Sequence, residues 1–299
     1  MTFQTNILDV GLIKPIVSIT ICARNEELYI KDCLNSLLSQ TFNDFEIIIV
    51  DDASSDRTLE IINEFQDDRI KCITNKECLG IAQSRNKAII HSKGKYIFCT
   101  DADCTVNKTW IEEGLRCFEL NYIGVEGSLI YVSENYQPTF STGFMENRTG
   151  NHFMTGNVAY TKEIIEAVGG FNEKIKYFVD RDLGLKVTQL GKVAFNKKMI
   201  VVHPLLFHTP GMLIRSAKRI DGRVYLFKRF GDRICISWRV MKPFNLAKIL
   251  CPALILLGLF TNRFKSNEDY MLLPFTYLFA VLERFYLWKA CIKYRIFLI

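Results

Sequence analysis

Three short runs of apolar and β-branched residues, Ile16–Ile21, Phe45–Val50 and Tyr96–Thr100, constrain this chain more than any other feature. Each has the length and composition of a buried strand, and the second and third end on acidic residues, Asp51-Asp52 and Asp101. Helical spacing fills the gaps. Apolar residues recur at Ile30, Cys33, Leu34, Leu37 and Leu38, then at Leu59, Ile61, Ile62 and Phe65, with Ser54, Ser55 and Asp56 as candidate N-caps of the second helix. Ile70–Ile73 adds a short strand and Gly80–His91 a helix. Strand and helix in alternation predict a doubly wound α/β fold with a mostly parallel central sheet. In such sheets ligands bind at the carboxyl ends of the strands, where Asp101 and Asp103 stand. Two acids spaced by one residue suit a hard divalent cation bridging to phosphates; an acidic turn capping the next helix is the plain alternative.

The later chain predicts a helix over 107–120, a strand over 125–132, an irregular polar loop over 133–155 and a helix over 161–168 closed by Gly169-Gly170. Asp180 and Asp182 form a second acidic pair, followed by helical character from Leu183 to Leu190 and a strand over 193–202 that ends at His203. Neither G-x-G-x-x-G nor G-x-x-x-x-G-K-[ST] occurs in the first half, so a nucleotide needs another device, and a cation at Asp103 supplies one.

Charge divides the chain. Residues 211–299 hold 16 Lys and Arg against 5 Asp and Glu, whereas the remainder holds 22 against 27. Arg215–Lys242 interleaves its cations with long apolar side chains, a pattern that suits an anionic membrane surface at about 1 kcal/mol per basic residue. A solvated helix across the catalytic mouth is the other reading. The apolar stretches Ile249–Phe260 and Tyr270–Leu282 are short for a span and contain Pro252 and Pro274, which favours interfacial or re-entrant helices over a crossing; a soluble helical pair packed on the body is the alternative. No nucleic-acid motif accompanies the basic residues, so nucleic acid is not expected as a partner. The ten cysteines lack a C-x-x-C pair or a regular framework and read as reduced core residues. The start of the chain lacks signal-peptide character, so the expected location is the cytoplasmic face of the membrane.

Taken together, these motifs resemble the inverting family 2 glycosyltransferases of GT-A fold over about residues 15–210. Ile21-Cys-Ala-Arg-Asn-Glu26 resembles the family's opening strand motif, with Cys22 where proline is usual. Val50-Asp-Asp-Ala-Ser-Ser-Asp56 is similar to its second block, and Asn75, Gly80, Ala82, Arg85 and Asn86 to its third, with Ser84 in place of alanine. Asp101-Ala-Asp103 matches the Asp-x-Asp signature, and Gly156-Asn157 with Val168–Asn172 resembles the acceptor-side block. The resemblance implies that Cys22, Ala23, Arg24 and Glu26 line the nucleotide pocket, that Asp52 bonds the base, that Arg85 lies near the nucleotide and that Asp101 touches ribose. It implies Mg²⁺ or Mn²⁺ at Asp103, with His203 or His208 completing the shell. Asp180 matches the family's base in Val179-Asp-Arg-Asp-Leu183, where Val179 departs from the usual acid.

The activity so implied is metal-assisted, inverting transfer of a sugar from a nucleotide-diphosphate donor, UDP by family habit, to a hydroxyl of a glycan or lipid-linked acceptor. The implied organisation is an N-terminal extension (1–14), a glycosyltransferase domain (15–210) and a basic, apolar, membrane-associated region (211–299). Two rival readings remain: a non-catalytic sugar-nucleotide-binding partner of a membrane glycan assembly, supported by Val179, and a nucleotidyltransferase, which would usually carry a glycine-rich basic loop after the first strand.

Overall fold

A computed structural model describes residues 14–131, 142–143, 146–231 and 267–296. Residues 1–13 of the N-terminal extension, residues 133–141 and 144–145 of the polar loop over 133–155, the end of the basic stretch beyond Gly231 and the apolar stretch Ile249–Phe260 lie outside the described residues.

One eight-stranded sheet organises the body, in the order β3-β2-β1-β4-β8-β6-β9-β5. Its first half is built from β1 (Val17–Ala23), β2 (Phe45–Asp51), β3 (Ile70–Thr74) and β4 (Tyr96–Cys99), all parallel. The second half departs from the doubly wound expectation. Here β8 (Val158–Thr161) is antiparallel to both β4 and β6 (Gly124–Tyr131), and the long β9 (Val193–His203) lies parallel to β6. The two-residue β5 (Thr105–Val106) closes the edge antiparallel to β9. The sheet is therefore mixed. A separate two-residue pair joins β7 (Thr142–Gly143) to β10 (Leu206–Phe207).

Alternation along the strands divides the core between the two faces. Val17, Ile19 and Ile21 of β1 and Phe98 of β4 face α1 (Ile30–Leu38), α2 (Thr58–Asn63) and α4 (Trp110–Glu119), whereas Ile97 and Cys99 face α3 (Ile81–His91), α5 (Lys162–Ala167) and α6 (Val179–Val187). Phe98, Trp110 and Phe118 form edge-on aromatic contacts within the first of these layers.

A third cluster joins the body to the helices that follow: α7 (Pro210–Ser216), α8 (Ile220–Phe230) and a C-terminal helix, Leu273–Tyr294. Phe153 and Leu185 of the body pack here with Ile220, Val224, Leu287 and Ala290. Pro274 sits in the first turn of the C-terminal helix, where its missing N–H costs nothing, so it starts the helix rather than interrupting it. Among the described residues no helix is long and apolar enough to cross a membrane.

Candidate active site

Asp101 and Asp103 follow β4 at the carboxyl edge of the parallel half-sheet. Asp101 is fixed from two sides: Arg85 on α3 donates to its Oδ1 at 2.8 Å, and its carbonyl accepts from Cys33 Sγ at 3.6 Å. Thr100 donates to the Gly156 carbonyl at 3.1 Å, which draws the 155–157 turn against the strand end. A Cβ on Gly156 would stand 3.0 Å from Asp101 Oδ2 and 2.7 Å from Leu129 Cδ1, so only glycine keeps that face of the carboxylate open.

His203 meets Asp103 with Nε2 and Oδ2 3.2 Å apart. The topology explains a contact between residues a hundred positions apart. Thr105 and Val106, just after Asp103, pair with Val202 and Val201, just before His203. His203 Nδ1 lies 2.8 Å from the Pro204 carbonyl, so that nitrogen carries the hydrogen. In the neutral ring Nε2 is then a lone-pair donor facing a carboxylate oxygen. Two acceptors this close require a proton or a cation between them, and a carboxylate with an imidazole is a donor set that fits a divalent metal. Cys104 stands within the same group of possible ligands, but burial pushes its thiol well above the ordinary range, which keeps it protonated. Burial also raises the Asp103 carboxyl, with His203 pulling it down and Asp101 pushing it up. Glu26 is carried to about 7 by burial and then by Asp103, Asp101 and Asp56. Negative charge is thus gathered here in excess of its counter-charges.

Asp180 lies in the first turn of α6 and lines a cavity of about 390 Å³ that also takes in Asp101, His203 and His208. Burial pushes its carboxyl above the usual carboxylate range, against the pull of the Arg85 guanidinium and of the Arg181 N–H, which donates to Oδ1 at 2.8 Å. Val179 turns away into the second core layer, so the acid missing at this position leaves the cavity's own carboxylates untouched. Asp182 also points away. It is wholly buried, with Lys186 Nζ at 2.8 Å and Arg229 of α8 at 3.6 Å, and it serves to hold α6 rather than to face substrate.

The other residues expected at the nucleotide do not line this cavity. Cys22 and Ala23 end β1; Ala23 is in the core, and burial lifts the Cys22 thiol to about 12. Arg24 is exposed beside Cys78. Asp52 is only 5% exposed, and its two oxygens accept from Asn75 Nδ2 and from the backbone N–H groups of Leu79 and Gly80, each at 2.8 Å. Burial works against that charge, but the three donors outweigh it and hold the carboxyl below its ordinary value. In this structure Asp52 shapes the loop before α3. His208 shares the cavity with Asp180 but stands outside the Asp103–Cys104–His203 group.

Two further residues organise the neighbourhood, Glu126, which no sequence motif marks, and Asn157 of the Gly156-Asn157 pair. Glu126, buried on β6, accepts from the backbone N–H groups of Asn151, His152 and Phe153 and from Asn147 Nδ2, which ties down residues 147–153. Asn157 joins Trp110 Nε1 to the carbonyls of Ser128 and Met199, each at 2.8 Å. A buried Glu in the β-rich run Gly124–Tyr131 was the only signal available.

The family model described as glycosyl transferase family 2 matches residues 18–178, more than half of the chain. The chain belongs to glycosyl transferase family 2. Among curated relatives, an Escherichia coli enzyme described as UDP-Glc:alpha-D-GlcNAc-diphosphoundecaprenol beta-1,3-glucosyltransferase is 35% identical over 59% of this chain and 71% of its own length. A Pasteurella multocida chondroitin synthase is 34% identical over 60% of this chain but only 19% of its own length. Among solved structures, a mannosyltransferase from Pyrobaculum calidifontis in complex with GDP-Man and Mn²⁺ superposes with a TM-score of 0.64 at 17% identity, covering 95% of this chain and 88% of that one. S. aureus TarS 1-349 in complex with UDP-GlcNAc gives 0.59 at 19% identity, over 93% and 91%. At such identities the likeness shows the fold, and that fold is the GT-A α/β fold expected from the motifs.

Proposed function

We propose that this family 2 glycosyltransferase moves a sugar from a nucleotide-diphosphate donor to a hydroxyl of a glycan or lipid-linked acceptor, with inversion and with a divalent cation. One observation carries the reading: Asp180, with its carboxyl raised, opens on the same cavity as Asp101 and His203, and His203 is paired with Asp103. Asp180 accepts the proton of the acceptor hydroxyl as that oxygen attacks the anomeric carbon, and the bond to the leaving diphosphate breaks on the opposite face. Asp103 and His203 hold the cation, and an imidazole beside a carboxylate favours Mn²⁺ over Mg²⁺. When bound, the cation supplies Lewis-acid stabilisation of the departing diphosphate. Arg85 steadies Asp101, the proposed ribose contact. UDP is the proposed nucleotide, as for the Escherichia coli relative, described as acting on a diphosphoundecaprenol-linked sugar. Cys22, Ala23, Arg24, Glu26 and Asp52 remain proposed for the nucleotide side, and His208 for the edge of the metal shell.

The C-terminal helix supports docking on an anionic membrane surface at the cytoplasmic face. Leu278, Phe285, Trp288 and Ile292 fall at heptad-like spacing along one stripe and are 41%, 55%, 56% and 79% exposed. The basic excess of residues 211–299 supplies charge of the complementary sign.

The deciding experiment incubates the protein with a panel of nucleotide sugars, Mn²⁺ and membrane lipid extract, and follows labelled sugar into product. Transfer by the wild type but not by Asp180→Asn is the expected result. A wild type that binds donor yet transfers nothing returns the non-catalytic partner; release of pyrophosphate returns the nucleotidyltransferase.

A further inference from the structure

Arg219 and Arg223 stand one helical turn apart at the start of α8, and both line the cavity that holds Asp180. Both guanidiniums lie over the ring of Phe178, at 5.4 and 5.6 Å from its centre. Phe178 immediately precedes α6 with φ of 60°, a left-handed conformation that is costly for a bulky side chain. That turn sends Val179 into the core while its neighbour Phe178 lines the cavity. The distance between α8 and this turn is set by Gly222, which lies between the two arginines. A Cβ there would stand 2.9 Å from the Tyr177 carbonyl and 2.9 Å from the Phe178 ring. The guanidiniums are therefore held in place, through stacking and a close helix crossing, two residues from the proposed base.

We propose that Arg219 and Arg223 seat a phosphate ester of the acceptor, so that the favoured acceptor is a phosphate-bearing glycan or lipid rather than a neutral sugar. The inference rests on Asp180 as base, since the group beside the base is the one that meets the acceptor. Asp101, Asp180 and Glu283 line the same cavity and disfavour an anion beside them, so a phosphate bound there needs the two guanidiniums as its counter-charge. Planar guanidinium forks match phosphate oxygens in pairs and hold them more firmly than an ammonium does. The donor's diphosphate is the other source of the same chemistry. It is assigned to Asp103 and His203, which would hold the cation that binds it.

The test titrates the full-length protein with hexyl phosphate and with hexanol, in the absence and presence of saturating UDP and Mn²⁺. Hexyl phosphate is expected to bind under both conditions and hexanol in neither. Arg219→Gln with Arg223→Gln is expected to weaken hexyl phosphate by about tenfold or more while UDP affinity stays within about twofold. Equal binding of hexanol, or hexyl phosphate affinity unchanged in the double variant, overturns the proposal. Displacement of hexyl phosphate by UDP, with UDP itself weakened in the variant, assigns the arginines to the donor and overturns it equally. Should the double variant fail to keep the wild-type melting temperature, Arg223→Gln alone and the pair Arg219→Lys, Arg223→Lys are read in the same titration; the Lys pair should retain more affinity than Gln. Because the readout is binding, a failure of sugar transfer tells against the proposed activity without touching this result.

Discussion

Helix α1 and the C-terminal helix treat their apolar residues in opposite ways. In α1, Ile30, Cys33, Leu34 and Leu37 are all buried against the sheet, so the helix hides its whole apolar face. The C-terminal helix is 22 residues long and buries only Leu287, Ala290 and Cys291, leaving Phe285, Trp288 and Ile292 in solvent. Water drives the first arrangement, since each fully buried large side chain contributes about 1.5–3 kcal/mol. The second leaves apolar area exposed beside cations such as Arg284, which lies 5.7 Å from the Trp288 ring, and this pattern underlies the proposed membrane docking. If the proposals for both regions hold, chemistry and location are carried by different parts of the chain and should be separable by mutation.

The sharpest cut is Asp180→Asn. Loss of the proton acceptor should lower transfer by about 10³-fold, measured as labelled product, with vesicle binding and donor affinity unchanged. His203→Ala removes one side of the Asp103 pair. Isothermal titration should show Mn²⁺-dependent nucleotide affinity falling about tenfold or more, while affinity without metal changes little. On the other side of the comparison, Phe285→Ser with Trp288→Ser should weaken binding to anionic vesicles by about tenfold in a flotation assay. Turnover on a soluble acceptor and the melting temperature should stay near wild type. If turnover on the soluble acceptor falls as far as vesicle binding, the two regions are not separable.

The smallest effect is in pH. Asp180 acts only when ionised and its carboxyl is raised by burial, so transfer should fall as pH drops through a value above the usual carboxylate range. Arg85 holds that value down, so Arg85→Gln should move the acidic limb of the pH–rate profile to higher pH. A limb that stays in place would separate Arg85 from Asp180.

Much of the body was legible because strand alternation and helical spacing are local. β1, β2 and β4 fall within a residue or two of the runs that predicted them, and Asp101 and Asp103 stand at the strand end where the Asp-x-Asp spacing put them. The reversal of β8, and with it the mixed sheet, was not legible, since a run such as Val158–Thr161 carries no mark of its direction. The pairing of His203 with Asp103 depends on β5, two residues long and below the length at which periodicity is visible. Asp52 enters through the family resemblance, whereas its burial among backbone donors depends on a loop more than twenty residues later, which no local pattern reveals. The site of Arg219 and Arg223 was hidden for another reason: basic residues in an amphipathic run look alike until a neighbouring turn selects two of them.

The crossing at Gly222 has a consequence for building hybrids from this protein. Exchanging the tail for that of a relative, to redirect the acceptor, succeeds only where the incoming helix presents a bare backbone at the position that meets the Tyr177 carbonyl. A graft with alanine there would lift the new helix off its seat and part the two halves of the proposed catalytic chamber by a few tenths of an ångström or more, on the order of the tolerance within which such sites operate.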